Sequence, residues 1–332
     1  MLTAMLAIAA LAVQIPDVVA GRSAGFALSY VALRLIMVGL YLRTWRSVPV
    51  ARPLVRRYAM AYTLCAAAWL VSLAVPAPWR FVIWGVALAW EYAQPVLNRR
   101  FHDSIPVDAS HVPERLALFT LIVLGESVVA VALGVAGQEW RAASVAAAVL
   151  GFVVSASLWW VYFDLGVSLG LRRTSNAILV FTHVHIPLLA ALVAVSAGVE
   201  LLIEESTGDH LAGGARWALC GGAAVYLACL SVVQSATSRG VARQIVAARG
   251  VAIAALLVLG AASAGLAPVT TAALLAAVLA ALVLFEIARG RPAHGDQAAD
   301  APPDMAGRMT SVSPSSTEVS SPSSTRTSSS LR

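Results

Sequence analysis

Charge is scarce in this chain. Only 12% of its 332 residues are Asp, Glu, Lys or Arg, about half the share of an ordinary soluble domain. Lysine is missing altogether, so all 23 basic side chains are Arg. With 59% hydrophobic residues and a mean hydropathy of +0.80, a water-soluble domain is excluded. There are only three cysteines, Cys65, Cys220 and Cys229. All fall in apolar segments, and the last two stand on opposite sides of any helix they share, so neither a disulfide framework nor a cysteine metal knuckle follows. The sequence also lacks a Walker A loop, a G-x-G-x-x-G turn, H-E-x-x-H and C-x-x-C. Those absences argue against ATP bound by this chain and leave no catalytic motif, no metal site and no cofactor to expect.

What is present is a series of apolar runs near the roughly 20 residues that span a bilayer. Ten helical spans are expected, roughly 1–15, 24–42, 58–75, 79–97, 115–134, 142–163, 176–201, 215–234, 250–266 and 268–287. The fold class is therefore an all-α, polytopic transmembrane bundle of about ten helices over residues 1–289. Met1 to Ile15 has no basic n-region and is followed at once by further spans, so it reads as a helix and not a signal peptide. From 290 to 332 the composition turns to Ser, Thr, Pro, Asp and Gly, too polar to bury a core, and predicts a disordered cytoplasmic tail.

The basic residues alternate in phase with the spans. Arg43, Arg46, Arg52, Arg56, Arg57, Arg99, Arg100, Arg115, Arg172, Arg173, Arg239, Arg243 and Arg249 fall on one side; Arg22, Arg80, Arg141 and Arg216 fall on the other. By the positive-inside rule both termini are cytoplasmic. A pI near 9.7 would suggest nucleic acid only if these residues clustered on a soluble face, which they do not. Trp45, Trp79, Trp140, Trp159, Trp160 and Trp217 lie near span ends and read as an aromatic belt.

Four ionisable residues are singled out by lying deep in separate spans. Arg34 is about ten residues into the second, Glu91 about twelve into the fourth, Glu126 about eleven into the fifth and His185 about nine into the seventh, which places all four at similar depth. A charge at a helix centre costs about 2.5–3.5 kcal/mol on insertion scales, so such residues face protein or water. One polar centre is expected, in which Arg34 neutralises Glu91 or Glu126 and His185 bonds the remaining carboxylate. It has two readings, a proton- or substrate-responsive centre and a static buried network.

Pro187 should kink the seventh helix and free the carbonyl of His183. Gly125 should admit a neighbouring helix closely. His183 and His185, two residues apart, point to different sides of a helix and cannot grip one metal ion. Ser127 with His185 lacks the G-x-S-x-G elbow of a hydrolase. Glu114, Arg115 and Pro113 suit the first turn of the fifth span. Asp164, Glu200 and Glu286 read as boundary residues near helix ends.

The run His111, Pro113, Glu114, Arg115, then Leu118 through Gly125, Glu126 and Ser127, closely resembles the signature of the bacterial low-temperature-requirement A family. Tyr30 to Arg34 with Tyr41, Leu42 and Arg43, and His185 to Leu188 downstream, follow in that family's order. The similarity covers roughly Met1 to Arg289. The family's acidic, Phe-rich opening segment is not seen; the Glu114 to Val131 region resembles a second copy of it, so either translation begins upstream of Met1 or part of the bundle is missing. The resemblance implies a polytopic inner-membrane protein linked to growth in the cold, and names no activity. The expected function is a secondary transporter or permease whose partners are membrane lipid and a small solute or proton, with self-association open. A non-transporting envelope protein is the alternative, and an enzyme is not expected.

Overall fold

The computed structural model describes residues 2–102, 111–136, 140–163, 175–237 and 243–290. They form helices α1 (Leu2–Val13), α2 (Ile15–Val19), α3 (Ala24–Ser47), α4 (Arg52–Ser72), α5 (Trp79–Leu97), α6 (Arg99–His102), α7 (His111–Ala136), α8 (Ala142–Phe163), α9 (Ser175–Glu204), α10 (Gly213–Thr237), α11 (Arg243–Ala262) and α12 (Pro268–Gly290). No strand occurs among the described residues. The segment expected to be a disordered tail lies, beyond Gly290, outside them.

Each of the ten expected spans corresponds to a helical segment, with the first divided at Gln14 into α1 and α2. Several helices run past the expected limits. Thus α3 continues to Ser47 and α9 to Glu204, because an apolar window closes at the first charge whereas Arg and Glu near a helix end can reach outward while the backbone stays helical. Eight segments are long and apolar enough to cross a membrane. The other two, α4 and α5, have 21 and 19 residues; α4 opens with Arg52, Arg56 and Arg57, and α5 carries Arg80 and Glu91, which lower their hydropathy. The turn joining them is closed by Arg80, whose Nε donates to Ser72 O at 3.1 Å and Val75 O at 3.0 Å and whose Nη2 donates to Leu73 O at 3.2 Å. Leu73 O and Val75 O thereby gain a donor at the α4 C-terminus, while Ser72 O also accepts from Val75 N at 3.0 Å.

Two apolar cores form, with no residue in common. A smaller one unites α3, α4 and α5 around Ala27, Tyr30, Val31, Cys65, Trp69, Trp84 and Ala87, with Leu11 and Val18 of α1 and α2 against it. A larger one is centred on α9 and α10 and draws in α7, α8, α11 and α12. Along α9 the core residues Leu188, Leu192, Val195, Val199 and Leu202 alternate steps of four and three, the spacing that holds one helix face against a neighbour. The α9–α10 contact is close because glycine stands at it: a Cβ on Gly222 would lie 3.0 Å from Ala191 O and 2.9 Å from a Val195 methyl. Between helices in lipid, dispersion contact replaces the missing hydrophobic drive, so close approach is itself stabilising.

Gly222→Ala is expected to lower the thermal unfolding temperature in detergent, at a cost of about 1–3 kcal/mol for overpacking. Gly125→Ala, where the added methyl meets nothing within 4 Å, should leave it unchanged or raise it through the better helix propensity of alanine.

Candidate functional site

Arg34 on α3 and Glu91 on α5 meet, as their depths suggested. Arg34 Nη2 lies 2.5 Å from Glu91 Oε2. Tyr30, one helical turn before Arg34 and on the same face, donates its hydroxyl to that carboxylate oxygen at 2.7 Å and accepts from Arg34 Nη2 at 2.7 Å. The guanidinium sits 4.5 Å from the Tyr30 ring centre and 5.2 Å from that of Tyr62 on α4, within cation–π range. Behind it Tyr30 stacks on Trp69 at 3.9 Å, and Trp69 on Trp84 at 4.3 Å. Trp84 Nε1 is held by Ser72 Oγ at 2.7 Å.

This pair is buried but incompletely satisfied. The side chains are 18% and 7% exposed, yet Arg34 Nε, Glu91 Oε1 and Trp69 Nε1 have no hydrogen-bond partner among the described residues. Leaving such groups unpaired away from water costs about 1–3 kcal/mol each. The centre therefore has two N–H donors that can bond an oxygen of a water or solute, and one carboxylate oxygen that can take a proton or accept a hydrogen bond.

A second buried pair has the opposite character. Arg249 on α11 grips Glu286 on α12 with both prongs, Nε to Oε1 at 2.6 Å and Nη2 to Oε2 at 2.8 Å, and its Nη1 reaches Gln234 Oε1 on α10 at 2.6 Å. Both side chains are 1% exposed or less. This corrects two expectations, that Glu286 is a boundary residue and that Arg249 belongs to a charged loop. The helices explain the change. Buried Leu275, Leu279 and Leu282 lead in steps of four and three to Glu286, and Arg249 precedes buried Ala252, Leu256 and Gly260 in the same way, so both charges stand on core faces. That spacing was readable; the apolar-window limits concealed it by starting the ninth span at 250.

His185 does not join either carboxylate. It is buried in the larger core, with Nδ1 2.6 Å from Phe181 O and Nε2 2.9 Å from the Tyr162 hydroxyl. A neutral ring satisfies both, donating from Nδ1 and accepting at Nε2. Ser127 bonds Ser196 at 2.6 Å, so it and His185 have separate partners.

Glu126 is the main correction. It is exposed on α7 and has no hydrogen-bond or ion-pair partner among the described residues. The buried face of α7 is Thr120, Leu124, Ser127 and Ala130, and one residue's step from Ser127 rotates Glu126 by about 100° off it. The expected single centre of four residues is thus Arg34 with Glu91, and His185 and Glu126 apart. Gly125 likewise approaches no neighbour. Glu114 and Arg115 are exposed at the start of α7, with Glu114 in its first turn; the His111 side chain and Asp164 lie outside the described residues.

At Pro187 helix α9 continues without interruption. The carbonyl of His183, deprived of its amide donor, accepts from the Tyr92 hydroxyl of α5 at 3.2 Å. The sequence pointed to the free carbonyl but not to its partner, which comes from α5.

The model of the bacterial low temperature requirement A protein (LtrA) family matches residues 1–284. The chain belongs to this family. It is also similar to an uncharacterized protein, RA0937, of Rhizobium meliloti (strain 1021), with 23% identity over 209 residues that cover 57% of this chain and 50% of the relative. The chain spans about half the length of that curated relative, and no solved structure matches. Family membership and the eight apolar spans make this LtrA chain a multi-pass membrane protein.

Glu286→Gln should destabilise the LtrA chain in detergent by about 3–5 kcal/mol, because Arg249 is left buried beside a neutral amide. Combining Arg249→Met with Glu286→Leu should recover most of the loss. A thermal-unfolding double-mutant cycle measures the difference, and simple additivity of the two losses would contradict it.

Proposed function

We propose that this LtrA protein is a secondary transporter or permease of the inner (plasma) membrane, with Arg34 and Glu91 as its polar centre. The observation that carries this reading is the set of unpaired polar atoms, Arg34 Nε and Glu91 Oε1, in a buried ion pair. A pair kept only for stability gains by saturating its hydrogen bonds, as Arg249 and Glu286 do; a pair that handles a passing ligand needs bonding capacity in reserve. Protonation of Glu91 would remove the charge that holds Arg34, so a proton arriving there can change the contact between α3 and α5. The solute or proton is the expected cargo. The arginine bias between alternate loops supports cytoplasmic termini, and it survives the withdrawal of Arg249 from the loop count.

A second reading is a non-transporting membrane protein that supports the envelope or growth in the cold. The saturated Arg249–Glu286 pair favours it, since that site has the character of a structural fastening. The two readings separate by experiment. Purified protein in proteoliposomes with an entrapped pH dye is presented with amino acids, sugars and organic cations under an imposed pH gradient. Wild type should couple proton movement to at least one solute, Glu91→Gln should insert and fold yet lose that coupling, and Glu126→Gln should retain it. Coupling unchanged in Glu91→Gln, or none in wild type with any solute, would favour the structural reading.

A further inference from the structure

We propose that His183 is a proton-binding site whose imidazolium form clasps the two helical cores together. His183 stands on α9, in the larger bundle, and is half-buried where α9 meets α5 of the smaller one. Its Nδ1 lies 3.2 Å from Leu179 O, and its Nε2 lies 3.2 Å from the backbone oxygen of Tyr92. Both neighbours are carbonyls, which only accept. A neutral imidazole has one N–H and one lone pair, so it satisfies one of these contacts and turns a lone pair toward the other oxygen. The ring that fits both is the cation. His185, two residues on, makes the contrast plain: one of its neighbours is a hydroxyl able to donate, and its neutral form suffices.

The surroundings suit a charge that comes and goes. The Tyr92 ring centre is 5.3 Å from that of His183, with the two ring planes tilted by 58°. Tyr92 also donates its hydroxyl to the His183 carbonyl that Pro187 leaves without an amide partner, so the same two residues bond in both directions across the gap. The titratable groups nearby are Tyr92 from α5, with Cys229 of α10 beside it, and on α9 itself His185, which turns away to Tyr162. No carboxylate forms an ion pair with His183 among the described residues. A fixed anion would hold the proton permanently, whereas two carbonyl dipoles hold it reversibly.

The chemistry is a single proton transfer. The lone pair on one ring nitrogen takes a proton from water or hydronium, forms an N–H and donates it to the facing carbonyl; on release the proton returns to water and a lone pair again faces that oxygen. Release of the proton from Nε2 makes the Tyr92 contact repulsive, and α5 loses one of its two bonds to α9; release from Nδ1 disturbs only the contact to Leu179 within α9. As a coupling site for movement between the bundles, this rests on the transport reading. As a proton site, it does not.

The test uses the full chain with 15N-labelled histidine in lipid bilayers, His183 being assigned by the resonances that His183→Gln removes or, should that variant not fold, by those that Tyr92→Phe displaces. Toward acid pH both ring nitrogens of His183 should carry hydrogen while His185 keeps one bare nitrogen. Raising the pH should strip the Nε2 hydrogen from His183, leaving Nδ1 protonated, and lengthen the α5–α9 distance between paired spin labels, a change that His183→Gln abolishes. A His183 ring with one bare nitrogen at every pH where the protein is folded, or an α5–α9 distance indifferent to the proton, would overturn the proposal. Failure of every solute in the liposome assay would defeat transport and leave this result standing.

Discussion

A charge within a lipid-embedded bundle keeps its place only where something replaces water around it, and the arrangement of this protein follows from how each charge meets that requirement. Arg249 and Glu286 meet it completely, with a bidentate fork and Gln234 on the remaining arm. They thereby fix the rotations of α10, α11 and α12 together, since turning any one of them strands a buried charge. Arg34 and Glu91 meet it partly, using the Tyr30 hydroxyl and two aromatic faces. That site is therefore less constrained, and its spare bonding capacity is what distinguishes a working centre from a fastening.

The two apolar cores extend the same logic. Each bundle carries its own ion pair and its own close-packed face, so neither depends on the other for neutralisation. Where they meet, at Tyr92 and His183, the bonds run to backbone carbonyls, one of them released by Pro187. Proline inside α9 thus has a defined consequence: an acceptor that the helix cannot use becomes the attachment point for the neighbouring bundle. Interhelical bonds of this type average about 0.6 kcal/mol in membrane proteins, enough to bias a contact and too little to lock it.

Much of this was readable along the chain. Depth narrowed the partner of Arg34 to Glu91 or Glu126, because a lone arginine at that level has few other means of neutralisation, and packing chose Glu91. Tyr30 carried a signal too, standing one turn before Arg34 on the same face. Glu126 shows the limit of that reasoning: it lies well inside α7, and rotation places it on the outer surface. Glu286 shows the converse, since its distance from the span centre suggested a boundary while its register with Leu275, Leu279 and Leu282 put it in the core. Where depth and face disagreed, the face decided.

The sequence by itself determined the class of molecule and the approximate limits of its long helices, because hydropathy and length are local sums that bilayer thickness makes decisive. Only the tertiary structure decided which charges meet, that α3 to α5 form a core apart from α7 to α12, and that His183 faces Tyr92 and not a carboxylate. The reason is geometric. Each residue turns a helix by about 100°, so partnership depends on the rotation and the neighbours of every helix, and those are settled by packing among segments far apart in the chain.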